Sequence, residues 1–383
     1  MKKISKYKVD KGIIFSIILF AIISVLSIYS ALTLLDSKGL LTSSMNNLYI
    51  KQLLWYGIGF ILAYFIMFIG NDAIIKRINI LYIIGVLLLF LVLIFGATIN
   101  EAKCWFVLPG IGNFQPSEFM KIILIIMLAK MINKFHEENP KPSIFDEFKF
   151  LLKVLLMVFI PSVLTFIEPD TGAVVMYLII TFAMLFIGGF RKRWFVITIS
   201  VLVISLSSFL GLYFLNQDLF IDIFGTSFFY RMDRILNWSK SSGLQLTNSL
   251  TAIGSAGLFG HGFNKTPIYF PEMQTDFIFA VFTSNFGLIG AILLIILIIF
   301  FDINLITTVN KTTNMYDKYA IGGILAVLLF QQVYNISMTI GLLPIMGITL
   351  PFISYGGSSL LSYMILLGII FNISNESLRF TNK

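Results

Sequence analysis

Cysteine occurs once in these 383 residues, at Cys104, and histidine twice, at His136 and His261. The lone cysteine excludes an internal disulfide and any cysteine-built metal site, and the two histidines stand too far apart for ligand-like spacing. Charge is scarce as well. Asp, Glu, Lys and Arg make up 12% of the chain, about half of what a soluble domain carries. A chain so poor in charge cannot cover itself with a surface compatible with water. Apolar residues take the place of charge, at 58% of the composition with a mean hydropathy of +0.93. They gather into runs of about 20 residues, the length that crosses a bilayer as a helix. These runs make the chain an integral membrane protein. Its net charge of +8 would suggest nucleic acid in a soluble protein, but here it fits the accumulation of lysine and arginine in cytoplasmic loops. No nucleic-acid partner is expected.

Hydropathy predicts an all-α polytopic membrane protein with ten spans, near 12–34, 52–70, 80–98, 116–133, 151–167, 172–190, 194–215, 277–300, 319–342 and 358–375. The apolar run Ile13–Leu34 is long enough to span and is followed by no A-x-A-like cleavage site, so a retained first helix is expected rather than a signal peptide. Placing the N-terminus inside puts 19 of the 27 basic residues on the cytoplasmic side and seven outside, so both termini are expected in the cytoplasm. Residues 1–383 are expected to form one transmembrane domain. The acidic residues divide differently, with Glu101, Glu168, Asp170, Glu272 and Asp276 among those falling outside. A loop of about 60 residues, 216–276, joins spans seven and eight on that face, far beyond the usual connection. The chemistry is expected outside.

Four segments on that face carry polar groups at membrane depth. In the first, Trp105–Lys121, Pro116 suits the first turn of a helix, and Glu118 and Lys121 share one helix face three residues apart. Ionisable residues at such depth are costly and mark function, although a mutually neutralising structural pair fits them equally well. The second, Glu168-Pro169-Asp170-Thr171-Gly172, reads as a tight hairpin in which Asp170 caps the following helix. The third is the long loop. Its glycines between Gly254 and Gly262 lack the strand and helix of a dinucleotide site and fit close backbone packing instead. Asp276 stands where the loop becomes an apolar helix, as a helix cap or as a carboxylate whose proton affinity an apolar wall raises, as a general base requires. Arg231, Arg234 and Lys265 offer positive charge to an anionic group such as a phosphate. In the fourth, Asn335 and Gly341–Ser359, two prolines and several glycines break the helical pattern, which at this depth fits the wall of a wet cavity or a packed turn.

Taken together these segments resemble the SEDS family (shape, elongation, division and sporulation), which includes RodA, FtsW and sporulation relatives. The matching pieces are Trp105 with Gln115-Pro116-Ser117-Glu118 and Lys121, then Glu168–Gly172, then Pro271–Ala280 around Thr275-Asp276-Phe277, and finally Gly341–Ser359 with Ser354-Tyr355-Gly356-Gly357-Ser358. They occur in the family's order and cover nearly the whole chain, with the RodA branch the nearer match. The resemblance implies a peptidoglycan glycosyltransferase that polymerises lipid II, an undecaprenyl-pyrophosphate-linked disaccharide-pentapeptide, on the outer face of the plasma membrane for elongation and shape. It makes Asp276 the catalytic residue, removing the proton from the acceptor sugar's 4-hydroxyl. It sets Glu118, Lys121, Asp170, Trp105, Arg231, Glu272 and Ser358 along the substrate cavity, and it implies a class B penicillin-binding protein as partner. A divalent cation at the pyrophosphate is compatible with that chemistry, but no ligand set in the sequence demands one. Two positions depart from the family pattern: Lys103-Cys104-Trp105 lacks one of two basic residues, and Thr283-Ser284-Asn285 replaces one or two glutamates. A lipid flippase or transporter is the first rival, and a silent scaffold for the transpeptidase the second. A transporter typically gathers its charges near the midplane, whereas here they collect at one face.

Overall fold

The structure is a computed structural model that describes residues 9–42, 45–99, 102–108, 112–236 and 243–380. Its helices are α1 (Lys11–Ser37), α2 (Leu48–Ile69), α3 (Asn71–Phe95), α4 (Pro116–Glu138), α5 (Ile144–Ile167), α6 (Thr171–Ile187), α7 (Lys192–Leu215), α8 (Gln217–Phe224), α9 (Thr226–Leu236), α10 (Gly243–Ser255), α11 (Ile278–Lys311), α12 (Met315–Thr339) and α13 (Gly357–Phe380). A helix overlaps each of the ten segments expected from hydropathy, although the third helix stops at Phe95, where a segment to residue 98 was expected, and the chain turns into a strand at Ala97. Eight of them are long and apolar enough to cross a bilayer, and the chain is a multi-pass membrane protein. The other two are α6, which has 17 residues, and α4, which carries Glu118, Lys121 and Lys130 along its first five turns.

The 216–276 connection contains three short helices, α8, α9 and α10, before an irregular stretch from 256 onward. The stretch between α3 and α4 also departs from an all-helical chain. Strands β1 (Ala97–Ile99), β2 (Ala102–Leu108) and β3 (Gly112–Phe114) form a small antiparallel sheet in that order, with Ala97 opposite Trp105 and Phe106 opposite Phe114. Its residues are rich in aromatic and β-branched types that suit a pleated, half-buried surface.

Helix α4 occupies the centre, packed against α3, α6 and α12. Met120, Leu124, Leu128, Ala129 and Ile132 are fully buried along it. Helix α2 behaves differently. Leu48, Gln52, Tyr56, Gly59, Ala63 and Met67 make one buried stripe at helical spacing, which lies on α13. Leu54, Ile61 and Phe68 on the opposite face are exposed, as an apolar face is when lipid is the solvent. Two breaks interrupt the helical pattern in the last third of the chain. Helix α11 is interrupted at Gly287, whose φ of 67° and ψ of −166° are open to glycine at no steric cost. The connection from α12 to α13 is irregular from Gly341 to Gly356.

Candidate active site

Four helices begin at the same end of the bundle, and their first residues are tied together. Pro116 opens α4 as expected, at a position where its missing N–H costs nothing. The backbone N–H of Gln115 donates to Ser358 Oγ at 3.0 Å, and that hydroxyl donates to the carbonyl of Asn113 at 2.8 Å, which fixes the start of α13 to the start of α4. Gln115 Nε2 and Ser117 Oγ donate to Asp170 Oδ2 at 2.8 and 2.9 Å. The other oxygen of Asp170 accepts from the N–H of Ala173 at 3.1 Å. Asp170 therefore caps α6, as the hairpin reading expected, and clamps α4 at the same time. Burial pushes its proton affinity up, while the bonds from Ala173 and Ser117 oppose that rise.

One turn into α4, Lys121 Nζ lies 2.8 Å from Glu118 Oε2, both side chains nearly inaccessible. Ser362 Oγ donates to the same carboxylate oxygen at 3.2 Å. The ammonium also sits 5.7 Å from the centre of the Tyr363 ring, and the Tyr363 hydroxyl is within 3.4 Å of Thr349 Oγ1. Such a pair survives burial only because further groups satisfy it.

Asp276 lies across the irregular segment from this cluster. Residues 346–349 run between the two: a methyl group built on Gly172 would lie 3.0 Å from the carbonyl of Met346, and one built on Gly347 would lie 3.7 Å from Asp276 Oδ2. Asn335, fully buried on α12, holds the arrangement by donating to the main-chain oxygens of Asp276 and Ile348 at 2.7 Å each. The N-cap of α11 is Phe277, with no side-chain capping bond, so Asp276 is not a cap. Its carboxylate, half-buried, receives no side-chain hydrogen bond among the described residues. Burial, reinforced by the charge of Glu272, pushes its pKa up to about 7. Glu272 itself is engaged by Thr275, whose hydroxyl donates to Glu272 Oε2 at 2.7 Å.

Other expected site residues fall differently. Trp105 is half-buried on β2, and strand alternation turns the neighbouring Cys104 inward. Cys104 is buried near Gln115 Nε2, and burial together with Asp170 and Glu168 raises its thiol. Glu168 is completely buried, neither carboxylate oxygen has a hydrogen-bond partner among the described residues, and burial pushes its pKa up to about 8. Nothing in the sequence singled out Cys104 or Glu168 as facing Asp170. The signal was present at position 104, where a thiol stands in place of a basic residue beside these acids. The side chain of Arg231, on α9, lies outside the described residues. The second departure is also structural. Ser284 and Asn285 offer their carbonyls to the N–H groups of His261 and Gly262 at 2.9 and 3.1 Å, and Asn285 Nδ2 donates to Ser30 Oγ at 2.8 Å. The glycine-rich loop thus repairs the break in α11. Among the described residues no group of three or more His, Cys, Asp or Glu is placed to hold a metal ion.

This arrangement offers a base with proton affinity near neutrality beside a cluster of helix starts. The aligned N–H dipoles at those starts favour an anion in front of them. The combination suits removal of a proton from a hydroxyl while an anionic group departs.

Comparison with known proteins places nearly the whole chain in one family. Residues 10–379 match the family described as "Cell cycle protein", FtsW/RodA/SpoVE. A probable peptidoglycan glycosyltransferase FtsW of Coxiella burnetii is 35% identical over 86% of this chain and 87% of its own length. The peptidoglycan glycosyltransferase MrdB of Helicobacter pylori is 32% identical over 94% and 90%. Among solved structures, a chain of a peptidoglycan synthase complex that coordinates polymerization and crosslinking superposes with a TM-score of 0.78 at 23% identity, covering 96% of this chain and 98% of its own.

Proposed function

The chain belongs to the FtsW/RodA/SpoVE family, and from that premise we propose that it is a peptidoglycan glycosyltransferase polymerising lipid II for cell-wall elongation. The observation that carries the reading is Asp276, a carboxylate with no side-chain partner among the described residues, its proton affinity raised to about 7 by burial first and Glu272 second. In the proposed step, Asp276 accepts the proton of the acceptor's 4-hydroxyl as that oxygen bonds to the donor's anomeric carbon. The bond from that carbon to the lipid pyrophosphate breaks with inversion, and the leaving group takes the electron pair. A base is most effective when its pKa lies near the working pH.

Positive potential must meet the departing pyrophosphate. The helix starts at Pro116, Thr171, Ile278 and Gly357 supply it as partial charge, and Lys121 supplies a full charge held by Glu118. Trp105, Asp170, Glu272, Arg231 and Ser358 line the same cavity in this reading, Asp170 and Ser358 by fixing its walls. The family members named above are peptidoglycan glycosyltransferases, which supports the activity. The synthase complex supports a class B penicillin-binding protein as partner. We place both termini in the cytoplasm, ten spans in the plasma membrane and the site on its outer face, with residues 1–383 acting as one unit, because lysine and arginine gather opposite the acidic loops.

The test is polymerisation of labelled lipid II by the purified protein with its penicillin-binding protein, wild type beside Asp276→Asn. Strands from wild type alone support the transferase and its base. Strands from both keep the activity and remove the role of Asp276. Strands from neither, with a competent partner present, return the protein to the flippase reading.

A further inference from the structure

The turn between Leu350 and Gly356 is unwound inside the bundle, where each unpaired main-chain carbonyl costs free energy unless a donor reaches it. Three consecutive carbonyls of this turn are met by side chains from the first two helices. Tyr56 Oη donates to the carbonyl of Phe352, Ser24 Oγ to that of Ile353 at 2.7 Å, and Gln52 Nε2 to that of Ser354 at 3.2 Å. Gln52 is the hub. Its amide nitrogen also reaches Ser24 Oγ at 3.1 Å, its oxygen accepts from the N–H of Gly356 at 3.5 Å, and it is fully buried. Phe352 sits at a φ of 66°, a conformation that costs a residue with a side chain about 1 kcal/mol or more, between the rings of Phe20, Phe301 and Tyr363. The turn is therefore held from outside itself.

Its other side grips the residues leading to Asp276. Ser354 Oγ donates to the carbonyl of Thr275 at 2.7 Å, and the N–H of Tyr355 donates to the carbonyl of Gln274 at 2.9 Å. A continuous chain of hydrogen bonds thus runs from α1 and α2, through the turn, to the residue next to Asp276. The buried stripe of α2 carries a single amide, and this connection accounts for its presence among apolar neighbours. We propose that Gln52, assisted by Ser24 and Tyr56, is a positioning residue for Asp276, acting from α2 through the Phe352–Gly356 turn. Gln52 touches no substrate. It fixes the height of the 274–276 backbone against α11, and with it the direction of the carboxylate. The role in turnover rests on the reading of Asp276 as the base, whereas the mechanical linkage does not.

Amide hydrogen exchange on the full chain in detergent tests the linkage, with the polymerisation assay run beside it. In Gln52→Leu, exchange is expected to quicken at least about fivefold, the effect of losing one of its three hydrogen bonds, at residues 352–356 and equally at 272–277, with α4 and α6 unchanged. Turnover falls about tenfold with KM for lipid II unchanged, as misplacement of a reacting group predicts. Faster exchange confined to 352–356 overturns the proposal, as does wild-type turnover in a variant whose exchange has changed. Should Gln52→Leu fail to fold, Tyr56→Phe removes a single oxygen from the same set of caps and carries the same expectations on a smaller scale. A wild-type rate in Asp276→Asn, with the exchange linkage intact, overturns the catalytic half alone and so separates failure of the base reading from failure of the linkage.

Discussion

The side-chain amide of Asn335 donates to the main-chain oxygen of Asp276 at 2.7 Å, and its second hydrogen goes to Ile348 at the same distance. One buried side chain on α12 thereby fixes the residue before α11 to the irregular wall opposite it. Neither bond involves the carboxylate, which is left facing Gly347. The position of the Asp276 carboxylate is set through the backbone, and its oxygens are left without a side-chain partner among the described residues.

Replacing Asn335 with alanine leaves two buried carbonyls without donors, a loss of roughly 1–3 kcal/mol for each unsatisfied group. Polymerisation should fall at least about tenfold through displacement of Asp276, and the melting temperature in detergent should drop. Full activity in a destabilised Asn335→Ala protein would separate the amide from catalysis.

The pH–rate profile should rise through pH 7. Asp276 must be ionised to take a proton, and its pKa is pushed up to about 7, so turnover is expected to be low at pH 6 and to level off above about pH 8. Glu272→Gln removes the neighbouring negative charge and should shift this limb to lower pH. A profile that stays flat between pH 6 and 8 argues against a base of this affinity.

Glu118→Gln strands the ammonium of Lys121 in a buried site, and breaking such a pair typically costs about 3–5 kcal/mol. The double variant Glu118→Gln with Lys121→Met removes both charges and should regain much of the stability. If the pair serves the departing pyrophosphate, the double variant remains inactive. Recovered strand synthesis would make the pair structural only.

Glu168 ties stability to pH. Its pKa in the fold is about 8, against about 4.3 in an unfolded chain. Between those values the native state keeps a proton that the unfolded state releases. The group's contribution is therefore complete below about pH 4 and is lost as pH rises toward 8. Thermal melts in detergent should decline with pH less steeply in Glu168→Gln than in wild type. Equal slopes would show that the carboxyl is charged in the fold.

Gly260 and Gly287 approach each other through bare backbone. A methyl group on Gly287 would lie 2.3 Å from the nitrogen of Gly260, and one on Gly260 would lie 2.3 Å from the carbonyl oxygen of Asn285. Both residues have positive φ. Alanine at either position should destabilise by about 1–3 kcal/mol from backbone strain alone, with loop displacement in addition. Melting temperatures of the two single variants measure it, and wild-type values would place the loop elsewhere.

The sequence alone determined where the helices lie, because a run of about 20 apolar residues has few stable alternatives in a bilayer. It also located Pro116 at a helix start, the hairpin at Pro169 and the pairing of Glu118 with Lys121, since all three depend on residues within one turn of each other. Asp276, Asp170 and Ser358 were legible through the resemblance of their segments.

Only the tertiary structure decided what each of these residues touches. Ser362 meets Glu118 across 244 positions and Gln52 meets Ser354 across 302, separations at which no local spacing carries information. The small sheet turned Cys104 rather than Trp105 toward the acids, because strand alternation follows register and register follows pairing. Gln52 carried no signal in the sequence and Glu168 only that of its segment; packing leaves the first fully bonded and the second without a hydrogen-bond partner among the described residues. Helix placement is settled by transfer of apolar side chains to lipid, a sum over neighbours in the chain. The site is settled by hydrogen bonds between distant backbones, which exist only once the helices have packed.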